Sequence, residues 1–516
     1  MQQLDETPTA DSLGDMSPED FRRYGREIID WIADYLAAPD ARAVLPGVQP
    51  GELVRALPPR APEQGERFDS IFADVQEKIA PALTHWNHPA FFAYFSISAS
   101  APGIFGELLA AAFNVNQMLW KTAPAATELE EVALRWLREM IGLPESFDGI
   151  IYDTASVSTM HALAAAREAL GLEVRERGMT GRADFPALAV YASEQAHSSV
   201  EKALIALGLG QSSLRKIETD DEFRMSVAAL RASVEDDLRR GVRPCAVVAT
   251  VGTTSTTSVD PVAGVAEVCR EHNIWLHVDA AYAGTAAVAP EMRSALDGCA
   301  AADSLVTNPH KWLFTPIDCS VLYSPRMDVL RRAFSLIPEY LRTDAAEEVR
   351  NGMDYGVQLG RRFRALKLWM VMRYFGHEGL AARIREHCRL ARLFRSWVEA
   401  EPGWQVLAPT PFSTVCFRYA PDLLAGDAAA LDKLNEEIMH AVNATGEVYL
   451  SHTRLRDRLC LRLAIGNIRT EERHVRRAWE LLREHAARLD PREPSSAEHT
   501  PADETTATEV AARLPL

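Results

Sequence analysis

Between residues 149 and 323 the chain alternates short apolar runs with helical segments, and no other feature constrains its fold as tightly. The runs at 149–152, 187–192, 245–251, 274–278, 304–307 and 320–323 have the length and composition of buried strands. Helical patterns lie between several of them, at 158–170, 197–207 and 262–271. Strands that alternate with helices build a mostly parallel sheet covered by helices on its faces. No Gly-x-Gly-x-x-Gly follows any of the runs, so a dinucleotide-binding fold is not supported.

In open α/β sheets, ligands bind beyond the carboxyl ends of the strands. Four places in this chain present polar groups there. The run 274–278 ends in Asp279, and the run 304–307 leads through a turn favoured by Pro309 to Lys311. A strand-end carboxylate paired with a strand-end amine suits pyridoxal phosphate. The amine forms a Schiff base with its aldehyde, and the carboxylate keeps its ring nitrogen protonated. Thr154-Ala155-Ser156 enters a helix, where hydroxyls and free N–H groups suit an anion such as the cofactor phosphate. His197 follows the run 187–192, where an imidazole stacks on a flat ring. The segment 250–255 is a strand exit rich in hydroxyls with one glycine. Each feature alone has a plain structural explanation: a solvated lysine, an N-cap, a core histidine, a polar loop. Their convergence in one chain points to a cofactor site.

The flanks are organised differently. Ser17-Pro18 with Glu19 and Asp20 starts a helix running to about Leu36, and a second covers about 68–79. The Pro-rich stretch 45–62 between them reads as extended. Residues 84–95 concentrate aromatic side chains, either a core plug or a wall for a flat ligand. Helices are expected at 103–113 and 125–141. From Gly360 to Tyr374 the chain is helical and basic, and Arg361, Arg362, Arg364 and Lys367 read as a solvated face. An α+β unit follows, with strands at 415–419, 448–451 and 459–464. The expected division is a flexible N-terminus (1–16), an N-terminal helical arm (17–100), a large α/β domain (101–375), a small C-terminal α+β domain (376–488) and a disordered tail (489–516).

Composition narrows the function classes. A formal net charge of −17 over 516 residues argues against a general nucleic-acid or anionic-membrane binder. Seven dispersed cysteines without Cys-x-x-Cys argue against a disulfide framework or zinc ribbon and fit a reducing cytoplasm. His85, His88 and His310 lack a metal-ligand spacing, so no metal is expected. Neither a secretory leader nor a membrane span is expected either.

The segments Ala196-His197-Ser198-Ser199-Val200-Glu201-Lys202, His277-Val278-Asp279-Ala280-Ala281-Tyr282-Ala283-Gly284 and Asn308-Pro309-His310-Lys311-Trp312 resemble the group II pyridoxal-phosphate-dependent decarboxylases, most closely the aromatic-L-amino-acid decarboxylases. The likeness runs from about Asp20 to Leu482. It includes Thr84-His85-Trp86, Phe91-Phe92-Ala93-Tyr94-Phe95, the segment 124–130 and Leu359-Gly360-Arg361-Arg362-Phe363-Arg364.

The resemblance implies a type I, aspartate aminotransferase-like fold and a homodimer with active sites at the subunit interface. It assigns Lys311 to the cofactor aldehyde, Asp279 to the pyridine nitrogen, Ala155, Ser156 and Asn308 to the phosphate, and Thr254 to a further cofactor contact. His197 stacks over the ring and approaches the substrate carboxylate. Tyr340, on the family's catalytic loop, returns a proton to the substrate. Trp86, Tyr94, Phe95 and Ile97 line the substrate side. The implied reaction is decarboxylation of an aromatic L-amino acid. Aldehyde synthases, acidic amino-acid decarboxylases and a silent cofactor-bound scaffold are the alternatives. Two positions depart from the family: Asp153 stands where glycine is usual, and Ile97 stands where the animal enzymes carry a threonine that contacts a catechol.

Overall fold

The structure is a computed structural model that describes residues 14–336 and 349–490. A seven-stranded sheet forms its centre, in the order β1-β7-β6-β5-β4-β2-β3. The strands are β1 (Asp148–Tyr152), β2 (Leu188–Ser193), β3 (Leu214–Ile217), β4 (Arg243–Thr250), β5 (Trp275–Asp279), β6 (Ser304–Thr307) and β7 (Ser320–Ser324). β7 runs antiparallel to both its neighbours, and the pairings from β6 to β3 are parallel. The carboxyl ends of β1, β2, β4, β5 and β6 therefore meet at one edge. β4 and β5 are buried over nearly their whole length, as strands covered on both faces must be.

A second, antiparallel sheet has the order β10-β11-β9-β8, with β8 at Trp404–Val406, β9 at Thr414–Tyr419, β10 at Ser451–Leu455 and β11 at Arg458–Ala464. It packs on the helices Ala428–Ala444 and Glu472–Leu489 around its own apolar cluster. The aromatic segment belongs partly to this second core, because Phe91 and Phe92 are buried in it and Phe92 N–H donates to the Tyr449 carbonyl.

Several elements depart from the sequence expectation. The helix after β1 spans Ala155–Ala169, so Ala155 and Ser156 form its first turn instead of preceding it. β3, the helix Val227–Arg239 and β8 were not anticipated. The stretch 45–62 contains a short helix, Glu52–Ala56. The expected strand at 448–451 is displaced to β10, leaving Tyr449 only an isolated bridge to Phe91.

The basic run after Gly360 is the clearest correction. Its helix starts at Ala365 and continues to Ala400 across a kink at Gly376, where φ is 64°. Three of its cations face inward. Arg361 is buried against Glu130 at 2.7 Å and also donates to the Ile151 carbonyl. Lys367 is buried and pairs with Glu107, which also takes Arg362. Arg364 holds Asp318 at 2.6 Å.

Burial opposes ionisation of Glu130, but Arg361 and the Ile151 N–H hold its pKa below the ordinary value. This pair ties the helix Pro124–Ile141 to β1 and to the 360 segment. Arg361→Met removes the cation and leaves the carboxylate buried. The expected cost is about 3–5 kcal/mol in urea unfolding, with a smaller loss for Arg361→Lys. Unchanged stability in Arg361→Met would show that the pair is not structural.

Candidate active site

The site is organised by the way two strands end. Asp279 closes β5 opposite Thr250 of β4 and Val306 of β6. Beyond the sheet, Ala280 N–H donates to the Val306 carbonyl and Asn308 N–H to the Ala281 carbonyl, at 3.0 and 3.1 Å. These two bonds lash the exit of β5 to that of β6 and bring the short helix Pro309–Trp312 beside Asp279. Asp279 is buried. Its Oδ1 accepts the Ala281 N–H at 3.1 Å, and it has no ion-pair partner within 4 Å among the described residues. A carboxylate so placed suits a protonated ring nitrogen.

Lys311 faces it. Burial pushes the Lys311 amine below its ordinary pKa; Asp279 acts against the fall and Arg462 adds to it. A larger neutral fraction makes the amine a better nucleophile toward an aldehyde.

Beneath Lys311 lies a column of rings. Lys311 Nζ is 5.5 Å and Arg462 Cζ 4.5 Å from the centroid of Phe95. Phe95 stacks on Tyr282 at 3.8 Å, and Tyr282 stacks on Trp312 at 4.8 Å with planes 3° apart. Hydrogen bonds fix the column's orientation. Tyr282 Oη is 2.6 Å from Ser413 Oγ, and Trp312 Nε1–H donates to His387 Nδ1 at 2.9 Å.

Arg462 was not singled out from sequence. It lies buried on β11, where it interrupts the apolar run that follows Arg458, and that interruption was the available signal. Its Nε–H donates to the Ser255 carbonyl at 2.9 Å and its Nη1 to the Tyr94 carbonyl, while Nη2 is buried without a partner. No carboxylate pairs with it within 4 Å among the described residues.

The candidate phosphate donors Ala155 and Ser156 open the Ala155–Ala169 helix, whose first N–H groups have no partner within the helix. The Asn308 side-chain amide sits at the same strand edge, and its tautomeric surroundings set its direction. His310 Nδ1 accepts the Cys319 N–H at 2.9 Å, and burial lowers the His310 pKa to about 4, so the neutral ring carries its proton on Nε2. The Asn308 amide meets that Nε2 at 3.4 Å, and its other end is buried without a partner. With Nε2 as donor, the amide oxygen turns toward it and the NH2 becomes the orphan. A buried donor without an acceptor fits a phosphate oxygen.

The remaining candidates are distributed around this centre. His197 follows β2 with its Nδ1 accepting the Ser199 N–H at 3.1 Å, which leaves Nε2–H as the outward donor. The ring is exposed, and desolvation lowers its pKa, opposed by Asp279 and aided by Lys311. Thr254 is exposed at the tip of a turn whose hydroxyls bond one another, Thr253 to Thr256 at 3.0 Å and Thr256 to Ser258 at 2.8 Å. Gly252 permits this turn: its φ is +88°, and a Cβ there would lie 2.7 Å from the Ala283 Cβ. Trp86 stacks on Phe91 and Tyr94, and Tyr94 Oη is 3.2 Å from Tyr449 Oη. Of the aromatic wall, Phe95 is the member that meets Lys311; Ile97 is half-buried two residues on. Tyr340 lies outside the described residues.

A half-buried lysine and a buried carboxylate at adjoining strand ends of an α/β sheet, with orphaned donors for an anion, define a pyridoxal-phosphate enzyme of fold type I. Residues 50–420 match the pyridoxal-dependent decarboxylase conserved domain, and the chain belongs to that family of carboxy-lyases. It is 41% identical over 495 residues to an aromatic-L-amino-acid decarboxylase of Sus scrofa, covering 94% of this chain and 99% of the relative. It is 40% identical over 487 residues to tryptophan decarboxylase 2 of Oryza sativa subsp. japonica, covering 92% and 96%. A crystal structure of Oryza sativa TDC with PLP and tryptamine superposes with a TM-score of 0.88 at 39% identity, over 92% of this chain and 99% of that one.

The ring column carries a pH dependence. His387 accepts from Trp312 only while neutral, and burial holds its pKa at about 4 against an ordinary 6.5. Between those values the unfolded chain binds a proton that the folded one refuses. Stability is therefore complete above about pH 6.5 and falls as pH drops toward 4. Burial lowers His277 and His310 to about 4 as well, and they steepen the same slope. The urea midpoint should fall steadily between pH 7 and pH 5, and His387→Gln should flatten part of the fall. A midpoint constant over that range would contradict the assignment.

Proposed function

We propose that this chain decarboxylates an aromatic L-amino acid (tryptophan, phenylalanine, tyrosine or a hydroxylated derivative) to the amine and CO2. The observation that carries the reading is the meeting of Lys311 and Arg462 at the Phe95 ring, with Asp279 and His197, the latter after β2, in electrostatic reach of Lys311. When bound, pyridoxal phosphate supplies the electron sink for the pair left on the substrate Cα as CO2 departs. Lys311 would hold the cofactor aldehyde through Nζ and would be the amine that the substrate replaces there. Asp279 holds a proton at the pyridine nitrogen. Ala155, Ser156 and Asn308 hold the phosphate, with Thr254 as a further contact. His197 would pack against the cofactor ring and offer Nε2–H to the substrate carboxylate. Arg462, with Nη2 free, adds a positive charge that draws the carboxylate in. Tyr340 is assigned the return of a proton to Cα.

Trp86, Tyr94, Phe95 and Ile97 form the side-chain pocket. Its wall is built from rings and one apolar branch, which favours an aromatic over an acidic side chain. Ile97 has no hydrogen-bonding group for a ring hydroxyl, so the catechol acid gains no special preference. Ile97→Thr should raise relative turnover of dihydroxyphenylalanine by roughly tenfold or less, the worth of one hydrogen bond. A wild-type preference for the catechol of two orders of magnitude would refute this.

Relatives of this chain include a phenylacetaldehyde synthase of Arabidopsis thaliana, 39% identical over 487 residues. Retention of both His197 and Tyr340 supports simple decarboxylation over that oxidative route. We further propose a cytoplasmic homodimer with its active sites at the interface. Among the described residues, no helix is long and apolar enough to cross a membrane. The arm helix Pro18–Ala37 and the helix Ala101–Phe113 expose Phe21, Leu108 and Phe113, and a largely apolar cavity of about 760 Å³ lies beside the arm. A second copy would cover these surfaces.

Product analysis of cofactor-loaded protein tests the function. With each aromatic acid in turn, amine should equal CO2 without peroxide. Aldehyde with peroxide would make the chain an aldehyde synthase, and no CO2 from any aromatic acid would overturn the substrate class.

A further inference from the structure

We propose that Asp153 weakens the cofactor's phosphate grip, so that this chain holds pyridoxal phosphate less tightly than its fold permits. The inference rests on the pyridoxal-phosphate reading of the site and concerns one departure within it.

β1 ends at Tyr152 and the next helix begins at Ala155, leaving Asp153 and Thr154 as the turn between them. Thr154 is extended, with φ −131° and ψ 157°, and its side chain makes no cap to the helix. Asp153 claims its polar groups instead. Asp153 Oδ1 accepts the Thr154 N–H at 2.5 Å and the Thr154 Oγ1 hydroxyl at 3.2 Å. Two donors at the positive end of a helix, where a dianion would be held, are thus turned to a side chain. The donors left for a phosphate are the N–H groups of Ala155 and Ser156, the Ser156 hydroxyl and the Asn308 amide.

The carboxylate also brings its own charge. Arg364 senses Asp153 electrostatically but makes its hydrogen bonds to Asp318, at 2.6 and 3.4 Å. Asp153 has no ion-pair partner within 4 Å among the described residues. A like charge beside a dianion in a partly desolvated turn costs binding on the order of tenfold. Both effects act only on a ligand that carries the phosphate.

The test uses full-length apoprotein titrated with pyridoxal phosphate and, separately, with unphosphorylated pyridoxal, following the absorbance of the bound aldehyde. Wild type is compared with Asp153→Asn, which keeps an acceptor but removes the charge, and Asp153→Gly, which removes both. Asp153→Asn should bind pyridoxal phosphate about tenfold more tightly and Asp153→Gly more tightly still, while both bind pyridoxal as wild type does. Unchanged or weaker phosphate-ester binding in both variants would overturn the proposal and make Asp153 a residue that preorganises the turn. Equal tightening for pyridoxal would overturn it too, by showing that the effect does not pass through the phosphate. If wild type took up neither compound, the cofactor reading would fail, and the proposal with it.

Discussion

The structure depends on a half-buried lysine and a buried carboxylate held at the ends of neighbouring strands without a direct bond between them. Lys311 and Asp279 sense one another electrostatically, yet neither has an ion-pair partner within 4 Å among the described residues. Leaving charges partly desolvated costs on the order of several kcal/mol per ion. A fold keeps such an arrangement when a ligand completes it. A ring with a protonatable nitrogen at one end and an aldehyde at the other satisfies both groups, which is why the two halves of the site read as one.

The surroundings hold that open arrangement in place. The hydrogen bonds from Ala280 and Asn308 tie one strand exit to the other. The stacked rings of Phe95, Tyr282 and Trp312 form the floor, locked by Ser413 and His387. Ser413 lies just before β9 and Arg462 on β11 of the smaller antiparallel sheet, and His387 comes from the long helix that reaches it. Neither sheet therefore makes the site alone. Arg462 also bonds the Ser255 carbonyl in the turn after β4, so one guanidinium joins the second sheet to the cofactor edge of the first. Farther out and apart from the chemistry, Arg361 with Glu130 clamps a helix to β1, and Lys367 with Glu107 joins two helices.

The centre of the site was legible in the sequence because its residues sit at strand ends, where a polar residue after an apolar run stands out. Asp279, Lys311, His197 and the Thr154–Ser156 turn were all nominated as candidates that way. The solvated reading of Arg361 and Lys367 failed because their partners are 231 and 260 residues away, and a local charge pattern carries no record of distant carboxylates. Arg462 was passed over because a single arginine in a strand reads locally as a surface residue; its burial comes from packing between the two sheets. The helix start at Ala155 was placed late because Ala155 and Ser156 read as turn residues, with the free N–H groups assigned to a start at Ser158. β8 and β3 are short, and tertiary pairing outweighs their weak local signal.

The central claim is that Lys311 is the amine that carries the cofactor, and covalent capture tests it most directly. Protein loaded with pyridoxal phosphate would be reduced with borohydride, digested, and the modified residue located by mass spectrometry. The account predicts one modified lysine per chain, Lys311, with capture prevented when borohydride acts before the cofactor is added. A label on another lysine, or none retained on any lysine, would contradict it.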